Sequence, residues 1–311
     1  MSDEVRRAAE ILRRGGLVAF PTETVYGLGA DAASRDAVAR LYAAKRRPAE
    51  HPVIVHFVDA MHAFDWARHI PESAQMLAAK YWPGPLTLIL ERSAKAGDFV
   101  TGGQDTIGLR VPAHPVAQAL LKAFGGAVAA PSANRFGKVS PTTASHVKQD
   151  LGQDAELVLD GGPSAVGIES TIVDLSGEAP VLLRPGHIAR EALEQALGVR
   201  VSDKQAGSPR HSGGLERHYA PTTPARLVPA HELDREIARR GDRVAVLAYS
   251  RPDERVDYWL RMPREPLAYA QRLYAALRQL DSAGCECILV EAPPETPDWD
   301  GVRDRLVRAT R

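Results

Sequence analysis

Cysteine, net charge and long apolar runs are all scarce in this sequence, and each scarcity removes a class of function. Only Cys285 and Cys287 occur among 311 residues. Two positions apart on an expected strand they share a face, too close for an ordinary disulfide staple, and a metal site would need further Cys or His ligands at suitable spacing. They read as structural thiols in a reducing compartment. Lys plus Arg and Asp plus Glu each total 39, giving a formal net charge of zero. Proteins whose main affinity is for a nucleic-acid backbone carry a basic excess, so that role is disfavoured, although local cationic clusters remain. Apolar runs such as 86–90 fall far short of the roughly 20 residues that span a bilayer. The N-terminus, MSDEVRRAAEILRRGG, has acidic residues and a helical pattern where a signal peptide would have an apolar core. A cytoplasmic protein without membrane contact is expected.

What the chain does contain is an ordinary globular composition, 44% hydrophobic and 25% charged, long enough for two domains of roughly 150 residues. Residues 3–14 repeat apolar side chains at helical spacing and stop at Gly15-Gly16. Ser34 can cap a helix over 35–45. Further helices are expected at 73–81, 116–124, 142–151 and 190–197. Short apolar runs predict strands at 17–20, 53–57, 86–90, 106–111, 127–130, 157–159, 170–175 and 181–183. This alternation is the pattern of an α/β layer architecture with a large sheet. From about 201 to 224 periodicity disappears in a Gly-, Ser-, Pro- and His-rich stretch, which reads as a linker or a functional lid. Beyond it, strands at 243–248 and 287–291 and helices at 267–280 and 302–308 predict a small second α/β domain. The division is therefore 1–199, a linker at 200–224, and 225–311.

The informative segments are polar loops that follow apolar strands: PTETVYGLG (21–29), KRRP (45–48), HPVIVH (51–56), TIGLRVP (106–112), PSANRFGKVSPT (131–142), GIEST (167–171) and LRPG (183–186). Ligands of open α/β sheets sit in the crevice at strand ends, so these loops point to one shared pocket. Lys45, Arg47, Arg110 and Arg184 offer up to four cations, Thr24, Ser132, Ser140 and Ser170 offer hydroxyls, and Asn134 an amide. Such a set suits a polyanion with several oxygens. Lys45 and Arg47 alone could merely favour a helix C-terminus; the collection of loops argues for more.

Two nucleotide motifs fail inspection. GLGADA (27–32) matches G-x-G-x-x-A but is separated from the preceding strand by six residues, and the next helix starts after Ser34. GKVS (137–140) lacks the glycine expected at position 132, so the usual P-loop is absent. There is no G-x-S-x-G elbow and no H-E-x-x-H, and His51 and His56 are five apart on or beside a strand, poor metal geometry. Positioning and charge neutralisation fit better than covalent catalysis.

In order along about 200 residues, PTETVYGLG, K-x-R at Lys45 and Arg47, HPVIVH, WPGPLT (82–87), TIGLRVPAH, S-x-N at Ser132 and Asn134, SPT, DGG (160–162), GIEST, LRPG and HYAP (218–221) resemble the threonylcarbamoyl-AMP synthase family in its long form. The resemblance implies a YrdC-like twisted open mixed sheet with flanking helices and a smaller, Rossmann-like C-terminal α/β domain. It implies a nucleotidyltransferase that converts L-threonine, bicarbonate and ATP into L-threonylcarbamoyl-AMP and pyrophosphate. That product would feed N6-threonylcarbamoyladenosine formation on tRNA through downstream transfer proteins, with tRNA met only indirectly. By the same resemblance Thr24, His56, Arg110, Ser170 and the backbone near Ala130 would bind threonine. Arg47, His51, Thr106, Ser132, Ser140 and Arg184 would hold ATP, aided by Lys45 and Asn134, and Tyr219 would reach back over the nucleotide. Lys45 and Arg47, with Mg²⁺ on the phosphates, would carry the catalytic charge. The segment before HYAP departs from the family pattern by Arg210 and His211. A carbamoyltransferase sharing the first domain, or a non-catalytic RNA-binding module using the K-x-R and S-x-N cluster, are the competing readings.

Overall fold

The N-terminal amphipathic segment folds into helix Asp3–Arg13, opened by Ser2 Oγ accepting from the Val5 N–H at 3.3 Å. It buries Val5, Ile11 and Leu12 against the first of two sheets in the computed structural model, which describes residues 2–256 and 258–311. That sheet has ten strands: β1 (Val18–Phe20), β2 (Gly27–Asp31), β3 (Ile54–His56), β4 (Leu86–Glu91), β5 (Thr106–Arg110), β6 (Val128–Ala129), β7 (Leu157–Val158), β8 (Thr171–Asp174), β9 (Val181–Arg184) and β10 (Ser202–Asp203). Their order is β10-β9-β8-β4-β5-β3-β6-β2-β1-β7, with parallel and antiparallel pairs mixed. β3 and β4 are buried on both faces, with helices against one and the strand residues Ile54, Ile89, Ile172 and Leu183 clustered on the other. One face carries helices Arg35–Lys45 and Glu72–Tyr81, packing Val38, Leu41 and Leu77 onto Val55, Leu88 and Leu109. The other carries Asp3–Arg13 and Pro115–Phe124, packing Leu12, Leu120 and Leu121 onto Phe20 and Val128.

Helix Arg35–Lys45 starts where the sequence predicts, with Ser34 Oγ accepting from the Ala37 N–H at 3.2 Å. GLGAD does not follow expectation: it is strand β2, paired antiparallel with both β1 and β6. A glycine-rich stretch has little strand propensity of its own, and pairing on both edges makes it one.

The second sheet, β11 (Ala225–Val228), β12 (Val244–Ala248), β13 (Tyr258–Arg261) and β14 (Cys287–Glu291), is wholly parallel in the order β11-β14-β12-β13. β11, β13 and helix Leu233–Arg240 were not expected from the sequence; β13 is a half-exposed edge strand with no alternating pattern to mark it. Cys285 lies just before β14, so only Cys287 is on the strand. Helix Leu233–Arg240 covers one face of this sheet, while Pro266–Asp281 and Asp300–Ala309 cover the other. The outer side of that second layer is not solvent: Leu273, Tyr274 and Val302 share a core with Val25, Val139 and Ile168 of the first unit and Tyr219 of the linker. The docking is close. A Cβ on Gly167, whose φ is +81°, would lie 2.4 Å from Gln271 Cα.

Candidate active site

Strand ends assemble the site. The parallel β3–β5 register sets His56 beside Arg110, and the antiparallel β8–β9 pair brings Arg184 back to Ser170 at the entrance of β8. β6 runs into Ala130 and Ser132, and the loop after β1 supplies Thr22 and Thr24. Thr24, Arg47, His56, Arg110, Ala130, Ser132, Ser170, Arg184 and Tyr219, nine of the residues anticipated from sequence, line one cavity of about 40 Å³. A drug-sized ligand pocket measures about 300 Å³ or more, so the space left is far too small for such a ligand.

The closure comes from residues 212–219. Ser212, Gly213, His218 and Tyr219 form part of the wall. Arg184 donates through Nη1 to Ser212 O at 2.8 Å, and Arg47 through Nη2 to Ser212 Oγ at 3.4 Å. The linker thus places a carbonyl and a hydroxyl where two arginines would meet anionic oxygens. Tyr219 is 1% exposed with φ +60°, a conformation that a bulky residue holds only when its surroundings enforce it. They do: the Arg305 guanidinium lies over its ring at 5.4 Å and the Tyr274 ring centroid is 5.8 Å away. Burial pushes the Tyr219 phenol up to about 12. Gln104 holds the main chain of residue 210, accepting from its N–H at 2.7 Å and donating to its carbonyl at 3.0 Å, and Arg210 Nη2 donates to Gly102 O at 2.7 Å, which gives the departing side chain a structural task.

The remaining side chains divide the cavity chemically. Burial, with Arg110 nearby, lowers His56 to about 3, so its imidazole is neutral, and its Nδ1 is buried without a partner. Arg110 is not a free fork: Nη2 meets Glu23 Oε1 at 2.6 Å, so a bidentate grip on a ligand carboxylate requires Glu23 to yield. The Glu23 carboxyl is held low by Arg110 in spite of burial. Thr24 Oγ1 contacts Thr22 Oγ1 at 2.8 Å, and Ser170 Oγ lies between Thr87 Oγ1 at 2.7 Å and Arg184 Nη2 at 3.1 Å.

Five anticipated residues do not line the cavity. The Lys45 ammonium is buried and donates to the carbonyls of Ser132 and Asn134, so the expected four-cation pocket has three cations and Lys45 shapes the 132–134 loop instead. Burial, then Arg47, holds its pKa well below the ordinary lysine value. Asn134 donates to Arg135 O and Lys138 O, both at 2.8 Å, and its Oδ1 is buried without a partner. His51 packs against Phe136 at 5.2 Å. Thr106 is at the far end of β5, paired with Glu91. Ser140 is one shell out, donating to Glu169 Oε1 at 2.6 Å.

Glu169 itself, in the cavity wall, was missed. Its Oε2 accepts from Arg305 Nε and Tyr274 OH, both at 2.8 Å and both from the second unit. Within GIEST it looks like any glutamate; the only sequence signal is its place between Ile168 and Ser170 of a motif. Ser212 and Gly213 were likewise invisible as wall residues.

A family model described as telomere recombination matches residues 10–186, and one described as threonylcarbamoyl-AMP synthase, C-terminal domain, matches residues 188–310. The chain is 39% identical to the threonylcarbamoyl-AMP synthase of Pyrococcus abyssi, over 99% of this chain and 94% of that one. It is 40% identical to the protein of that name from Bacillus subtilis, over 98% and 92%. The crystal structure of P. abyssi Sua5 complexed with L-threonine superposes with a TM-score of 0.92 at 38% identity, covering 98% of this chain and 94% of that one.

Proposed function

The chain belongs to the threonylcarbamoyl-AMP synthase family, and on that premise we propose that its cavity condenses L-threonine, bicarbonate and ATP into L-threonylcarbamoyl-AMP and pyrophosphate, for N6-threonylcarbamoyladenosine formation on tRNA. The observation that carries this reading is the joining, in one buried space, of an amino-acid-sized corner formed by Thr24, His56, Arg110 and Ser170 with a cationic wall formed by Arg47 and Arg184. The threonine-bound relative supports the first assignment. Neutral His56 can accept a hydrogen bond from the substrate through its unpartnered Nδ1, and Thr24 and Ser170 can read a small hydroxylated side chain.

Threonine's amine and bicarbonate give a carbamate with loss of water. A carbamate oxygen then bonds to the α-phosphorus as the bond to the bridging oxygen breaks, and pyrophosphate leaves with that electron pair. The work of the protein in such a displacement is alignment and charge stabilisation, which Arg47 and Arg184 supply. ATP is too large for 40 Å³, so its phosphates must displace Ser212 from these arginines, and the linker closes again over the complex. Closure matters because a carbamate exposed to water loses CO2. Lys45 acts by holding the 132–134 loop in place.

Magnesium accompanies the ATP phosphates in this scheme. Among the described residues no group of three His, Cys, Asp or Glu is placed to hold a metal, and both Glu169 oxygens already have partners. The ion would therefore enter with its substrate, held by the ATP phosphates. Among the described residues no helix is long and apolar enough to cross a membrane. The reaction is assigned to the cytoplasm, with tRNA reached through downstream transfer proteins and not at this site.

Mass spectrometry of the product formed from labelled bicarbonate tests the reading. Label in an adenylate of threonylcarbamoyl mass is expected; pyrophosphate release that ignores threonine, or an unlabelled adenylate, overturns it. The same measurement separates the synthase from a carbamoyltransferase or an RNA-binding module, neither of which yields the labelled adenylate.

A further inference from the structure

Glu169 poses a problem for any anion site. It is 7% exposed, lies in the cavity wall that contains Arg184, and retains its charge: burial works against ionisation, but Arg305, Arg184 and the Ser140 hydroxyl overcome it and hold the carboxyl at about 2. A bare carboxylate in that wall would repel a triphosphate, and a buried charge with no partner is strongly destabilising.

The compensating cation comes from the other unit. Arg305, on helix Asp300–Ala309, is fully buried. Its Nε donates to Glu169 Oε2 at 2.8 Å, Nη2 to Glu169 O at 3.1 Å, and Nη1 to Pro185 O and to an Asp304 carboxylate oxygen, both at 2.8 Å. Tyr274, on the neighbouring helix, donates its OH to the same Oε2. With Oε2 held from the second unit, Oε1 is left to accept from Ser140. The Arg305 guanidinium also supports the Tyr219 ring. From 136 residues away in sequence, Arg305 thus sets the charge of the wall, the orientation of Ser140 and the seat of the linker tyrosine.

We infer that Arg305 is a positioning residue for nucleotide binding: the second unit inserts a cation that neutralises Glu169, so that the wall of the first unit accepts the phosphates of ATP. The inference rests on the proposed synthase reading only for the identity of the anion. It gives the second unit a direct task in the site.

The test uses the full chain with Arg305→Met, Arg305→Lys, Glu169→Gln and the double variant Arg305→Met/Glu169→Gln, measuring ATP affinity by equilibrium dialysis, KM for ATP and for threonine in pyrophosphate release, and thermal stability. Arg305→Met should weaken ATP at least about tenfold, the effect of roughly 1.4 kcal/mol of lost compensation, while KM for threonine moves far less. Arg305→Lys should recover part of the loss. The decisive variant is the double one: removing the uncompensated carboxylate should restore ATP affinity to within about threefold of the parent, a rescue that a double-variant cycle reads directly. A purely structural Arg305 predicts instead that both KM values and stability fall together and that the double variant is no better than Arg305→Met; that result overturns the inference. Should Arg305→Met fail to fold, Glu169→Gln alone decides: with Arg305 still paired to Asp304, ATP should bind more tightly than to the parent, and weaker binding refutes the proposal. A parent that binds ATP but releases no threonine-dependent pyrophosphate would defeat the synthase reading while leaving this ranking of affinities to judge Arg305.

Discussion

Gly213→Ala offers the sharpest test of the closed linker. Gly213 has φ +80°, and a Cβ built on it would lie 2.0 Å from the Tyr219 hydroxyl and 3.2 Å from Arg184 Nη1. Holding alanine in a left-handed conformation costs about 1–2 kcal/mol. Forcing a methyl into a packed site adds about 1–3 kcal/mol, and Tyr219 has nowhere to retreat, with Tyr274 on one side and Arg305 over its ring. The sum, about 2–5 kcal/mol, falls on the closed linker rather than on the sheets, because residues 212–218 belong to neither core and only Tyr219 is shared with one. The closed-to-open ratio should drop by at least about thirtyfold, since each 1.36 kcal/mol is a factor of ten. Hydrogen exchange over 208–219 reads that ratio, and turnover should fall as the site loses its cover. Gly207→Ala is the control: φ is +97° but no atom lies within 4 Å, so it carries backbone strain without the clash, and its effect should be clearly smaller. Exchange protection of Gly213→Ala within about threefold of the parent would refute the packing argument.

Other perturbations follow from the same geometry. His218 is 5% exposed among Arg47, Lys45 and Arg184, with Glu169 as the opposing charge, and burial first of all lowers it to about 3. Its neutral form stabilises the closed linker fully above about pH 6.5 and that contribution is lost progressively as pH falls toward 3, a loss of about 2 kcal/mol at pH 5; protection factors over 208–219, corrected for the intrinsic pH dependence of amide exchange, that are identical at pH 7 and pH 5 would contradict this. Arg47→Ala should lower kcat/KM at least about a hundredfold while melting analysis shows a loss of only about 1–3 kcal/mol, and an equal fractional loss of both would return Arg47 to a structural role. Gly167→Ala, with its Cβ against the Gln271 backbone, should loosen the docking of helix Pro266–Asp281 by about 2–5 kcal/mol; calorimetry should show a lower and broader transition, and an unchanged melting curve would argue against close docking.

Legibility varied with the range of the interaction involved. Helix Arg35–Lys45 was readable because its cap, its apolar stripe and its end lie within twelve residues. β4 was readable as an uninterrupted apolar run. β2 was not, since its identity depends on partners at 18–20 and 128–129 rather than on GLGAD itself. The linker was visible as a loss of periodicity, but nothing in SPRHSGGLERHYAP says that Ser212 meets Arg184 and Arg47. Lys45 stands out in the sequence, but its orientation does not: the loop packed against it turns the ammonium to the carbonyls of Ser132 and Asn134.

The sequence by itself determined the local elements and the chemical kit: apolar periodicity, caps and motif order are short-range properties, and residue types together with the family resemblance those motifs carry singled out nine of the cavity-lining residues. Tertiary structure decided the state of that kit. Three arginines face the cavity rather than four cations, Arg110 is already engaged by Glu23, and a serine of the linker occupies donors of Arg184 and Arg47. Glu169 is tolerated there because Arg305 arrives from the second unit. These outcomes hinge on burial and on charge pairing between residues far apart in the chain, and the energy of a buried charge depends on what folding brings beside it.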